Sequence, residues 1–317
     1  MLPITVYNQS GGQSKSTITR DLAAAYAELG LNVLIADFDA QNGSVSNYLG
    51  VDEDKHNPDA DDLTLHLINQ GKGPFRDLIR TADDGIDVIP SHKRFNRVDQ
   101  RLDQHADYLE ASRPSEWEYP RYERFFQVLQ DNDIQDEYDV MLVDPNAKAD
   151  EGYYLALYAT RNILIPAEPT RGGIESIAGV EDSARNFADE IDINITLSGV
   201  VPSKVDAGKK IHKEYLTKIH EQYPAPVYFK NLGAFEKAEE NYETVFSQLK
   251  DGRIRDYNAD IMPKFRTLAS YIYHRAGQDL PNGGWPREDL FHGNDIWGEV
   301  DLYQLTTGGP DAAEVSQ

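Results

Sequence analysis

The chain contains no cysteine among its 317 residues. A disulfide framework, a thiolate site and a cysteine-ligated iron–sulfur centre are all excluded. There is no run of ~18 apolar residues and no N-terminal secretory signal, which points to a soluble chain of the cytoplasm. Basic residues are scarce: 31 Lys and Arg stand against 54 Asp and Glu, a formal net charge of −23. The acidic excess is spread along the chain rather than gathered in a tail. It reads either as a plain solvated acidic surface or as adaptation to a high-salt cytoplasm, where carboxylates keep the surface hydrated and repulsion is screened. No internal repeat is visible.

What is present is an alternation of apolar strands and amphipathic helices. Pro3 to Tyr7 is a short apolar strand candidate, and Val33-Leu34-Ile35-Ala36 is a second. Between them Ile18, Leu22, Ala25, Tyr26 and Leu29 fall on one helical face, with Gly30 as a C-terminal stop. Strand, helix and strand in this order make a βαβ unit, which demands a parallel sheet. Further buried-strand candidates are Ile86–Pro90, Asp139–Val143, Ile163–Pro166, Ile195–Val201 and the weaker Pro226–Phe229. Residues 99–124 are polar and read as an exposed helix and loop. The expected fold is α/β, a doubly wound and mainly parallel sheet with helices on both faces. Residues 1–275 read as one P-loop domain. Residues 276–317, rich in turn chemistry, read as an acidic and aromatic tail.

Three stations carry chemistry, each at the C-terminal end of a strand, the ligand edge of an open α/β sheet. The first is Asn8-Gln9-Ser10-Gly11-Gly12-Gln13-Ser14-Lys15-Ser16-Thr17. Glycines followed by Lys-Ser at a strand-to-helix turn make a phosphate cradle, in which backbone N–H groups and the helix N-terminus face the anion. Lys15 is placed to reach the β- and γ-phosphates, and Ser16 to ligate Mg²⁺ through its hydroxyl. The second is Asp37-Phe38-Asp39-Ala40-Gln41, whose carboxylates can orient water or a hydrated metal. The third is Val140-Met141-Leu142-Val143-Asp144, a Walker-B pattern whose aspartate holds Mg²⁺.

With these motifs the chain resembles the ParA/MinD group of deviant Walker-A ATPases, and most of all the ParA partition ATPases. The family opening Asn-Gln-Lys-Gly-Gly-Val-Gly-Lys-Thr-Thr is similar to Asn8–Thr17, and its Asp-Leu-Asp-Pro-Gln to Asp37–Gln41. Its Leu-Gly, its Gly-Leu-Asp-Leu-Ile-Pro-Ser strand and its later Ile-Pro strand resemble Leu49-Gly50, Gly85–Ser91 and Ile163–Pro166. The resemblance covers roughly residues 1–275 and fails over the tail. It implies that Lys15, Ser16 and Thr17 bind the phosphates and Mg²⁺ of ATP. It implies that Asp39 positions the attacking water and that Asp144 holds the hydrated metal. It also implies an ATP-dependent homodimer that binds DNA non-specifically on the nucleoid, and a ParB-like or equivalent adaptor that couples it to plasmid, chromosome or other cargo. Ser203 and Asn231 occupy the places where the family contacts adenine.

Two departures are plain. Ser10 stands where the family carries its signature lysine, which reaches the partner's phosphates across the dimer. Ser14 replaces the glycine before the P-loop lysine, and its β-carbon is expected to strain the loop. A subgroup of ParA-like proteins that positions carboxysomes also has serine at the signature position. Lys148, four residues past Asp144, is either a replacement phosphate contact or a surface lysine paired with Asp150 or Glu151.

DNA contact needs local basic surface. Lys204, Lys209, Lys210, Lys213 and Lys218 form one cluster; Lys250, Arg253, Arg255, Lys264, Arg266 and Arg275 form another. MinD-type relatives end in a basic amphipathic membrane helix, whereas Glu299 and Asp301 interrupt the apolar set here, so no membrane partner is expected. Two competing readings remain: a nucleotide-binding adaptor of the same fold with little hydrolysis, motivated by Ser10 and Ser14, and a metabolic P-loop synthetase, for which no second substrate pocket is legible.

Overall fold

The computed structural model describes residues 1–280 apart from Gln13, Asp83, Ser115, Glu116, residues 254–259 and Asp279. Among the described residues seven strands form one sheet: β1 (Leu2–Val6), β2 (Val33–Phe38), β3 (Arg80–Thr81), β4 (Asp87–Ile89), β5 (Val140–Pro145), β6 (Asn162–Ala167) and β7 (Thr196–Pro202). Their spatial order is β3-β4-β2-β5-β1-β6-β7. Every pairing is parallel except that of β3 with β4. The two-residue β3 caps the sheet edge and carries too little sequence to show a strand period. The expected strand at Pro226–Phe229 does not form among the described residues. That segment runs beside β7 instead, where Phe229 N donates to Pro202 O and Val205 N to Phe229 O. One isolated parallel bridge joins Val205 to Lys230. Prolines at 224 and 226 remove the donors a continuous ladder needs.

The first half of the chain supplies helices α1 (Lys15–Glu28), α2 (Val45–Tyr48), α3 (Leu63–Leu67), α4 (Val98–Glu110), α5 (Arg124–Asp131) and α6 (Ile134–Glu137). The second half supplies α7 (Glu151–Thr160), α8 (Arg171–Glu190), α9 (Lys210–Gln222), α10 (Gly233–Glu240), α11 (Val245–Lys250) and α12 (Ile261–Arg275). The strands alternate strictly. Val140 and Leu142 join α1, α10, α11 and α12 in one core, while Met141 and Val143 join α3, α4, α5 and α7 in another on the opposite face. This is the two-sided burial that makes parallel strands read as continuous apolar runs.

The polar stretch 99–124 is less exposed than its composition suggests. Leu102 and Tyr119 enter the second core, and the buried Arg124 donates to Leu67 O and Asn69 Oδ1. No helix among the described residues is long and apolar enough to cross a membrane. The expectations for the tail beyond residue 280, Glu299 and Asp301 included, lie outside the described residues, as do those for Gln13 and Arg255.

Candidate nucleotide site

The strand order places the phosphate loop between two partners. β1 is flanked by β5 on one side and β6 on the other, so the loop leaving β1 meets Asp144 on one flank and the end of β6 on the other. Asn8 fastens it: its side-chain amide donates to Pro166 O at 2.7 Å, and its Oδ1 accepts from Ser10 N at 2.8 Å and from the Ser176 hydroxyl of α8. The loop then turns through Gly12 at φ +74° and Ser14 at φ +62°. Gly12 adopts the left-handed region without penalty. Ser14 does not, so the strain expected from its β-carbon is present in the backbone. Ser14 O accepts the first helical bond, from Ile18 N at 2.9 Å. Helix α1 begins at Lys15, three residues before the first apolar position of its pattern.

Lys15, Ser16 and Asp144 come together at the start of α1. Asp144 is fully buried, and neither carboxylate oxygen has a hydrogen-bond partner. Burial first, and the nearby Asp37 carboxylate second, push its pKa up to about 8. The Lys15 charge and the Ser16 hydroxyl pull in the opposite direction, with Ser16 close but short of a formed hydrogen bond. A buried, unsatisfied carboxylate next to a lysine and a hydroxyl is the donor set of a hydrated Mg²⁺ beside a phosphate. The residues present therefore fit the metal-nucleotide that the sequence implies.

The two aspartates of the second station divide their work. Asp37 is buried and its pKa is raised chiefly by burial. It is nonetheless saturated with donors: Asp39 N at 2.9 Å, Ser46 N at 2.9 Å and the Ser46 hydroxyl. Asp37 is therefore a structural bracket, and of the two carboxylates expected to orient water or a metal at this station only Asp39 is left for that role. Asp39 is half-buried, accepts from Gln41 N at 2.9 Å, and lies close enough to raise the Asp144 pKa. Lys55, missed in the sequence, is buried beneath this loop and donates to Gln41 O and Ser44 Oγ.

Other expected site residues fall as follows. Thr17 Oγ1 donates to Glu239 Oε1 of α10 at 2.7 Å. Just below, the buried Arg20 pairs with Asp21 at 2.7 Å and approaches Glu239 at 4.0 Å. Ser10 Oγ donates to Ser176 Oγ at 3.2 Å. Lys148 is exposed; its backbone N–H donates to Asn146 Oδ1, and its side chain pairs with neither Asp150, which binds Asn146 and Gly152, nor Glu151, which binds Arg121. Ser203 is buried and Asn231 exposed, and the Val205–Lys230 bridge draws their segments together at the β7 edge.

The two basic clusters differ. In the second, Lys250 meets Asp84, Arg253 meets Glu243 and Asp251, Lys264 meets Asp260, and Arg266 forks onto Glu28, while Arg275 lies by the Tyr271 ring. Intramolecular carboxylates largely neutralise it. In the first, Lys204 meets Glu168 at 3.7 Å, Lys209 meets Asp206 at 3.6 Å and Lys210 meets Glu214 at 3.6 Å, all loose pairs, while Lys213 and Lys218 lie on the exposed face of α9, Lys218 over the Tyr215 ring.

Sheet order, phosphate loop and paired strand-end aspartates together define a P-loop nucleotide-binding protein. A protein-family model described as an AAA domain matches residues 1–197. The chain is 28% identical over 221 residues to a probable plasmid-partitioning protein ParA of Thermus thermophilus, covering 68% of this chain and 62% of that relative. Its fold is similar to that of Cyanothece McdA, with a TM-score of 0.65 at 18% identity, covering 85% of this chain and 98% of that one. It is also similar to the septum site-determining protein MinD of Pyrococcus horikoshii, solved with Mg-ADP, with a TM-score of 0.61 at 16% identity over 86% and 96% of the two chains. The chain belongs to the ParA/MinD family of P-loop ATPases. Cyanothece McdA is also solved as an ATP complex and MinD with Mg-ADP, in keeping with the ATP and Mg²⁺ expected from the sequence.

Proposed function

We propose that this chain is a Mg·ATP-dependent switch of the ParA type, which dimerises on ATP, binds DNA non-specifically and positions DNA or another cargo through an adaptor. The carrying observation is the convergence of Lys15, Ser16 and the unpartnered Asp144 beside Asp39. Backbone N–H groups of Gly11, Gly12 and Ser14 through Thr17 cradle the phosphates, while Ser203 and Asn231 flank the base. Ser16 and Asp144 would hold Mg²⁺ together with Asp39, and the metal would supply charge neutralisation of the phosphate oxygens. Asp39 orients a water for attack on the γ-phosphorus. The bond to the bridging oxygen breaks, leaving ADP and phosphate, and Lys15 offsets the negative charge that gathers on the transferred group. Lys148, exposed and unpaired among the described residues, serves the partner's phosphates in a closed dimer. The exposed lysines of α9 supply the DNA surface. Two isothermal calorimetry titrations and a phosphate-release assay test this reading. Wild type should bind Mg·ATP and release phosphate faster with DNA or partner present, and Lys15→Ala should bind none; equal affinity in a folded Lys15→Ala chain would remove its basis.

The second reading is a nucleotide-binding adaptor with little hydrolysis. It is favoured by Ser10, which is turned onto Ser176 rather than carrying a cation, and by the strained Ser14. Tight Mg·ATP binding without stimulated phosphate release would select it.

A further inference from the structure

The cradle's own segment carries one cation, Lys15, because Ser10 is uncharged. A second cation reaches the loop from elsewhere in the chain. A β-carbon built on Gly12 would lie 3.7 Å from the Lys204 ammonium, so Lys204 stands over the phosphate loop although 192 positions separate the two residues by number. The backbone at Lys204 is in the left-handed region, at φ +53°. For a residue with a β-carbon that conformation is strained, and it persists because both neighbours are tied down. Ser203 N donates to Ala167 O at 2.9 Å, and Val205 N donates to Phe229 O at 3.0 Å. The same turn carries the Lys204 side chain to the mouth of the loop.

Its anion there is Glu168, with Oε1 3.7 Å from the ammonium. The Glu168 backbone is itself fixed. Its carbonyl accepts from Thr170 N at 2.8 Å and lies where a β-carbon on Gly173 would come within 1.8 Å of it, so only glycine is accommodated at 173. At 3.7 Å and with both side chains part-exposed, the pair is loose and contributes little to stability. A polyphosphate carries more charge than one carboxylate, and the ammonium has three donors to turn towards it.

We infer that Lys204 is a second cation of the phosphate cradle, with Glu168 as the competing anion that polyphosphate displaces. This assigns Lys204 to the nucleotide rather than to the DNA surface suggested by its place in the lysine cluster. It also supplies in cis, from the end of β7, part of the charge missing at Ser10. The inference rests on the nucleotide site proposed above.

The test is calorimetric titration of Mg·ATP into the full chain and three variants. Lys204→Gln should bind about tenfold more weakly, the loss expected for one charge-assisted contact. Lys204→Gly removes the same cation while relieving the left-handed strain; it should show the same weakening with a melting temperature no lower than wild type. Glu168→Gln removes the competitor and should bind at least as tightly as wild type. Wild-type affinity in both Lys204 variants overturns the role of Lys204, and if DNA binding alone weakens, the residue returns to the DNA surface. A Glu168→Gln chain that binds ATP more weakly overturns the competition. Failure of the wild-type chain to bind Mg·ATP at all would instead overturn the underlying nucleotide site.

Discussion

Asp37 and Asp144 are register partners on the adjacent strands β2 and β5, and only Asp37 has hydrogen-bond donors. Two buried carboxylates side by side raise each other's cost of ionisation. Asp37 is relieved by Ser46 and by the backbone of its own turn. Asp144 has no such relief, which makes it the member available to a metal. It is also a local source of instability, as an unsatisfied buried carboxylate must be.

Asp144→Asn should therefore stabilise the nucleotide-free protein. The Asp144 pKa is raised in the fold, so its contribution to stability is fully present below the unfolded carboxylate pKa and is lost as pH rises through about 8. The gain from Asp144→Asn should thus be larger at alkaline pH than at mildly acidic pH, on the order of 1–3 kcal/mol, the range for an unsatisfied buried polar group. Thermal melts on either side of pH 8 measure it. A variant less stable than wild type under alkaline conditions would contradict the assignment.

Asp39→Ala should keep Mg·ATP affinity within about threefold while turnover falls by at least tenfold, because Asp39 is half-buried at the rim and its bonds are to its own loop. Calorimetry and phosphate release separate the two effects. Turnover at the wild-type rate would sink the water-positioning role.

Lys148→Ala should impair dimerisation on a slowly hydrolysed ATP analogue, read by light scattering. The side chain has no partner among the described residues, so folding stability should change by no more than about 0.5 kcal/mol, as for an ordinary surface substitution. Normal dimerisation and turnover would leave Lys148 a surface residue and strengthen the adaptor reading.

Asp21→Ala should be the most damaging of these changes to the fold. Asp21 is fully buried, holds Arg20 at 2.7 Å, and accepts from Val245 N at 2.9 Å, tying α1 to α11. Removing it leaves the Arg20 charge buried, at a cost of about 3–5 kcal/mol. Urea denaturation gives the value; a loss below about 1 kcal/mol would mean that Glu239 alone satisfies Arg20.

The sequence alone determined six parallel strands, the phosphate loop and the two strand-end aspartates, but not the edge strand β3 or the strand order. Each is encoded within a few neighbouring residues: apolar runs for buried parallel strands, and glycines before Lys15 for the cradle. Even the backbone strain at Ser14 was legible, since it follows from a β-carbon in a place that favours glycine. Tertiary structure decided whatever depends on pairs far apart in the chain. It made Asp37 a bracket and left Asp144 bare, because the Ser46 donors arrive from the start of α2. It turned Ser10 onto Ser176 and Thr17 onto Glu239, and it spent most of the second basic cluster on intramolecular carboxylates. It also carried Lys204 to Gly12, because β6 lies beside β1 and β7 beside β6. Charge spacing along a chain does not say which ions will meet; that is set by the order in which the strands assemble.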